Sequence, residues 1–143
     1  MSFSVDVREF AEKAMISVEK AKQYAAIEIF GAVIKATPVG NPAIWKNPAP
    51  RGYTGGRLRG NWRTSVRDPD LIAIARIDKN GTETAKEMTA AVGSAVGDDT
   101  IFMTNNLPYA QAVEFGWSQQ APTGMVRVAI LGFQNAVAEG AKR

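Results

Sequence analysis

Between Val5 and Ala36 the apolar residues Phe10, Ala14, Val18, Ala21, Ala25, Ile29 and Ala32 recur three and four places apart. This is the helical period, and it predicts one amphipathic helix over the span. Ser4 or Asp6 is placed to cap its start, Glu9 and Lys13 to pair at i,i+4, and Thr37 followed by Pro38 to end it. Its second half, YAAIEIFGAVIKA from Tyr24 to Ala36, carries only Glu28 and Lys35 as charges and calls for burial on several sides. At 1.5 Å per residue such a helix runs roughly 48 Å, against the ~30 Å across a small domain. It must either kink near Gly31 or project toward another subunit.

After the helix, VGNPAIWKNPAPRGY (Val39 to Tyr53) is rich in proline, glycine and asparagine and reads as an extended loop with Ile44 and Trp45 at an apolar tip. Alternation in RLRGNWRTSV predicts a strand, LIAIARID (Leu71 to Asp78) predicts a second, and Lys79 to Gly81 a turn. Thr84 to Val96 favours a short helix with Ala85, Met88, Ala91 and Val92 on one side, and Thr100 to Thr104 a further strand. Pro108 pushes Leu107 out of the helical region and opens a short helix through Phe115, which Gly116 stops. From Gly124 to Ala141 a strand is expected to merge into a C-terminal helix. Together these elements predict an α+β fold over 1–143 as one domain: a long N-terminal helix packed on a small, mainly antiparallel sheet with short additional helices.

A chain of 143 residues buries a core without help from disulfides or metals. This one has neither cysteine nor histidine. That removes thiol nucleophiles, Cys/His zinc sites, imidazole bases and every Ser-His-Asp arrangement, so no cofactor and no metal is expected. The N-terminus alternates charged with apolar residues unlike a signal peptide, and no stretch is long and apolar enough to span a membrane.

Charge adds a second asymmetry. From Ile29 through Arg67 there is no acidic residue but seven bases: Lys35, Lys46, Arg51, Arg57, Arg59, Arg63 and Arg67. Ten of the seventeen bases then face all fourteen acids, a formal −4 for the remainder. Such a split suits a nucleic-acid surface using the segment 46–67, or a basic segment that meets the acidic surface of the next copy.

The densest chemistry lies in NNLPYAQAVEFGW, Asn105 to Trp117. An enzyme reading makes Glu114 a general acid raised by Tyr109, Phe115 and Trp117, with Asp98 or Asp99 as the second carboxylate of a glycosidase. A structural reading pairs Glu114 with an arginine such as Arg57 or Arg59. It has Asn105 and Asn106 satisfy backbone groups where a strand turns into a helix, and Tyr109 and Phe115 pack that helix down. Thr54 to Gly60, TGGRLRG, lacks the ending of a phosphate-binding loop, and its glycines serve the turn into a strand.

Three segments together resemble the neck and tail-completion proteins of long-tailed bacteriophages, also known as minor tail or head-tail joining components. They are TPV (Thr37 to Val39), TGGRLRGNW (Thr54 to Trp62) and NNLPYAQAVEFGWSQQAPTGMVRVAI (Asn105 to Ile130). The family pattern approaches TPVDTGRLRxxW, then N-x-x-x-YA-x-x-x-E-x-G, then AP-x-G-M. Asn105, Tyr109, Ala110, Glu114, Gly116, Ala121, Pro122, Gly124 and Met125 match it in order. This chain departs from it in the Pro/Gly-rich loop inserted at 40–53.

The resemblance implies a non-enzymatic virion protein, present in the host cytoplasm during assembly. It would form a ring of its own copies, of sixfold or related symmetry, against other neck, portal-side or tail-tube proteins. DNA would pass through without being read, and no membrane is involved. The expected subunit-interface residues are Trp45, Arg57, Arg59, Trp62, Tyr109, Glu114, Phe115 and Trp117. Thr54, Gly55, Asn105, Asn106, Pro108 and Gly116 are expected to form turns and caps.

Overall fold

The structure, a computed structural model, describes residues 3–14, 17–40, 55–116, 118 and 120–141. The elements run α1 (Phe3–Ala14), α2 (Val18–Ala36), α3 (Arg57–Gly60), β1 (Trp62–Val66), α4 (Thr82–Ser94), β2 (Ile101–Asn105), α5 (Ala110–Glu114) and α6 (Val126–Ala141). The class is α+β, as the hydrophobic pattern predicts.

The helix expected over Val5 to Ala36 is two helices, and the break falls before Val18 instead of at Gly31. Ser17 is extended (φ −66°, ψ 154°), its Oγ accepts the Lys20 N–H at 3.2 Å, and Glu19 sits in the first turn of α2 at its positive end. α1 folds back on α2, so that the rings of Phe10 and Tyr24 stack at 5.1 Å. In one straight helix their separation would be roughly 21 Å. Val7 and Ala11 of α1 and Ala21 and Ala25 of α2 turn toward the same core, while Val18 at the break is exposed.

α2 is the centre of the molecule. Its buried face is Ala21, Ala25, Ala26, Ile29, Val33 and Ile34. Alanines at the N-terminal end admit neighbouring helices closely, and each larger aliphatic contributes roughly 1.5–3 kcal/mol by leaving water. α1, α4 and α6 pack around it. α6 brings Ala129 and Phe133 to that core, with Val126, Ile130 and Val137 partly buried on the same stripe. The sheet pairs β1 with β2 antiparallel, Trp62 opposite Asn105 and Val66 opposite Ile101. It is α4, through the face carrying Thr84, Met88 and Val92, that lies between α2 and β1, so the N-terminal helix does not itself cover the sheet.

Three predicted strands change character. In RLRGNWRTSV only Trp62 to Val66 is a strand, and Arg57 to Gly60 forms a helical turn entered through Gly56 at φ +106°. Gly60 passes so close to Arg76 that a Cβ there would overlap the Arg76 carbonyl oxygen. Leu71 to Asp78 is extended but joins no ladder. The C-terminal segment has no strand, being helical from Val126. The Lys79 to Gly81 turn falls where expected, α4 runs two residues ahead of its predicted span and β2 one residue behind. α5 begins two residues later than predicted, with Pro108 in the turn ahead of its N-cap Tyr109. Gly116 ends it at φ +92°.

Candidate functional site

Two knots of polar contacts tie the three resembling segments together. The first closes the C-terminal end of α2. Thr37 Oγ1 donates to the Val33 carbonyl at 2.7 Å and accepts the indole N–H of Trp62, also at 2.7 Å. Trp62 is only 5 % exposed. The tryptophan expected at a subunit interface therefore stands in the chain's own core, because its N–H finds a buried partner there. Beside it, the Arg59 guanidinium donates to the carbonyls of Thr37 (2.7 Å), Lys35 (3.2 Å) and Lys79. It places a cation at the negative end of α2. Burial lowers the Arg59 pKa, and the charge of Asp78 opposes that shift.

Asp78 is itself buried and accepts the Thr84 N–H at 2.8 Å and the Thr84 hydroxyl at 2.7 Å, fixing the start of α4. Desolvation pushes its carboxyl up. The bonds from Thr84 and Gly81 and the charge of Arg76 outweigh this and hold it below the ordinary value. Arg57 is exposed, so the two arginines of the turn divide: Arg59 inward on its own chain, Arg57 outward. Gly55 lies so close to Gly40 that a Cβ would sit 2.5 Å from the Gly40 oxygen, a close approach of two backbone segments that only glycine allows. Trp45 and Thr54 lie outside the described residues, as does Trp117.

The second knot is the corner between β2 and α6. Asn105 Nδ2 donates to the Leu58 carbonyl at 2.9 Å while its Oδ1 accepts the Leu107 N–H at 3.3 Å. Asn106 Nδ2 donates to the Asp70 carbonyl at 2.9 Å. Both asparagines thus satisfy backbone groups, as the sequence predicts. Tyr109 packs half-buried on the core beside the buried Leu107 and Val113.

Glu114 governs this corner. Its Oε1 accepts the N–H groups of Met125 (2.7 Å) and Val126 (2.8 Å), and its Oε2 accepts Arg127 N–H at 3.2 Å and Nε at 3.0 Å. The carboxylate occupies the positive N-terminal end of α6 and satisfies donors that have no partner within the helix. Gly124 makes room: it holds φ +92°, and a Cβ there would lie 2.5 Å from the Glu114 carbonyl oxygen. Desolvation raises the Glu114 carboxyl, but the N–H groups of Val126, Met125 and Arg127 and the Arg127 side chain together pull it below the ordinary range. The expected partner, Arg57 or Arg59, is thus replaced by Arg127. Phe115 does not pack α5 down; it is 67 % exposed, with the Arg127 guanidinium 5.0 Å from its ring centre.

The basic run does not form a free stripe. Arg63 pairs with Asp70 at 3.1 Å and with Glu87 at 3.0 Å, Arg76 holds the other Glu87 oxygen at 2.8 Å, and Arg67 pairs with Asp99 at 3.1 Å. Acids downstream in the same chain neutralise much of what the sequence assigned to a neighbour. Asp99 also accepts the Val96 N–H, the turn role that suits GDDT. Lys46 and Arg51 lie outside the described residues. Sequence reasoning passed over Arg76, Asp78 and Arg127. Arg127 left no local signal, since its contact with Glu114 depends on how α6 returns to α5.

Among the described residues no acidic cluster is arranged to hold a metal ion, and no helix is long and apolar enough to cross a membrane. Compared with protein-family models, curated proteins and solved structures, the chain matches none.

Proposed function

We propose that this chain is a virion structural protein that assembles as a ring to complete a phage tail or to join head to tail. One observation carries the reading. At the Asn105 to Ile130 corner the polar groups of Asn105, Asn106 and Glu114 are taken up inside the chain, while apolar side chains of the corner and the helix it caps turn outward. Phe115 is 67 %, Leu131 58 % and Val128 41 % exposed. A catalytic pocket has the reverse arrangement, polar groups presented and apolar walls enclosed. An apolar groove of about 490 Å³ runs along the same region between α1, α2 and α6, lined by Phe10, Tyr24, Val128 and Phe133, and suits an anchor from another subunit.

Neither competitor draws equal support. A general acid needs a raised carboxyl, and that of Glu114 is lowered. A nucleic-acid surface needs cations available to phosphates, and Arg59, Arg63 and Arg67 have partners in the chain. The test is to co-express the tagged chain with the products of its flanking genes and examine purified material by electron microscopy. A ring that includes this chain and is lost with Leu131→Asp, at unchanged melting temperature, is the expected result. Flanking genes that encode no capsid, portal or tail component, or a chain that stays alone with all of them present, would overturn the proposal.

A further inference from the structure

The segment Leu71 to Ile77 is extended like a strand but pairs with no strand on either side, side chains bonding its inner edge. Its even-numbered backbone faces the protein: the Ile72 N–H donates to the Asp70 carboxylate at 3.1 Å, the Ile74 N–H to Asn61 Oδ1 at 2.8 Å, and the Ile72 carbonyl accepts from Asn106. At its end the Asp78 N–H donates to the Gly56 carbonyl at 3.1 Å. The odd-numbered residues Leu71, Ala73, Ala75 and Ile77 make no backbone hydrogen bond among the described residues. Their N–H and C=O groups therefore point along the opposite, outer edge, the alternation of a strand at the margin of a sheet. Leu71 and Ile72 are 72 % and 68 % exposed, and Ala73, Ala75 and Ile77 are exposed as well. Natural proteins cover or charge such an edge, because an open apolar one recruits another strand.

We propose that this edge pairs with the same edge of a second copy, antiparallel about a two-fold axis at Ile74. Two features of the segment select a second copy as the occupant. The first is register. With Ile74 opposite Ile74, the outward-bonding residues meet one another, Leu71 with Ile77 and Ala73 with Ala75, so large side chains stand against large and small against small. A shift by one residue would set outward groups against inward ones. The second is charge. In this register the exposed Lys79 of one copy falls opposite Pro69 of the other, next to the exposed Asp68, while the facing carboxylates Asp70 and Asp78 are each already held within their own chain by Arg63 and Thr84. The contact is isologous and leaves the α6 corner untouched, so it stands apart from the head-to-tail contact of a ring and does not rest on it.

The full chain contains no cysteine, which makes the register directly testable. Residues opposite each other at the centre of such a ladder have Cα atoms ~4.5 Å apart, within the ~4.4–6.8 Å of a disulfide, whereas two copies of Leu71 would stand ~20 Å apart. Ile74→Cys is expected to form a disulfide-linked dimer under mild oxidation, and Leu71→Cys to form no cross-link. In parallel, sedimentation of the wild-type chain from micromolar to millimolar concentration should show its mass rising toward that of a dimer. Ala73→Pro should weaken this by roughly tenfold or more, since it removes an outward N–H in each copy and no inward bond. A wild-type chain that stays monomeric throughout would overturn the proposal. So would a dimer indifferent to Ala73→Pro, cross-linking of Leu71→Cys as fast as of Ile74→Cys, or slow hydrogen exchange of the odd-numbered amides in a monomer.

Discussion

Replacing Glu114 with glutamine keeps the shape of the α6 cap and removes its charge. The side chain is 17 % exposed and accepts three N–H groups of the first turn of α6 as well as the Arg127 guanidinium. A carboxylate at a helix N-terminus in a partly buried site is worth ~1–2 kcal/mol more than a neutral acceptor. Arg127 is 54 % exposed, so its ion pair adds at most ~1 kcal/mol. Glu114→Gln is therefore expected to lose ~1–3 kcal/mol, which in a chain of this size lowers Tm by ~3–9 °C. The loss depends on pH in a defined sense. The folded carboxyl titrates below its ordinary value of 4.5, so its contribution is complete above that value and disappears as pH falls through the lower folded one. The gap between wild type and variant, measured by thermal melting, should be constant around neutrality and close in acid. A variant that melts with the wild type at pH 7, or a gap that persists unchanged in strong acid, would refute the capping role.

The same corner predicts that Gly124→Ala destabilises by ~2–4 kcal/mol in denaturant unfolding, since φ +92° strains any side chain and the new methyl meets the Glu114 carbonyl oxygen. Combined with Glu114→Ala, its cost should fall by more than ~0.5 kcal/mol, because one strand of the clash is the carboxylate itself. At the other knot, Thr37→Val leaves the Trp62 N–H buried without a partner and should cost ~1–3 kcal/mol. The Thr37→Val, Trp62→Phe double variant should recover ~1 kcal/mol relative to the sum of the singles, and strict additivity would show that the bond contributes nothing.

How much of this was legible depended on whether a residue's partner was near in sequence. Periodicity found α4, β2 and the face of α2, where burial follows a repeat of a few residues. It failed at Ser17, because a stripe that is apolar on both sides of a fold-back looks the same as a stripe on one helix. It failed again at Leu71 to Asp78, where alternation was present but the bonds came from Asn61, Asp70 and Asn106 in place of a ladder. At the site the asparagines were readable from their position at a strand end. The partner of Glu114 was not, because the choice between Arg57, Arg59 and Arg127 depends on how α6 returns to α5, a tertiary fact with no local signature.

That outcome changes what the resemblance can be asked to explain. Thr37 bonds Trp62, Arg59 bonds Thr37, Asn105 bonds the carbonyl of Leu58, and Glu114 with Gly124 sets the start of α6. These contacts join the three segments into one scaffold. A chain with these residues is committed to this corner and this helix end whatever it assembles with. If the chain assembles as proposed, selectivity for a partner comes from side chains that the scaffold leaves outside, Phe115, Val128 and Leu131 at the corner and Leu71 and Ile72 on the open edge. Under that proposal substitutions in the scaffold are expected to act on stability and those at the exposed side chains on association, and a variant such as Leu131→Asp separates the two because the side chain it replaces is already mostly in water.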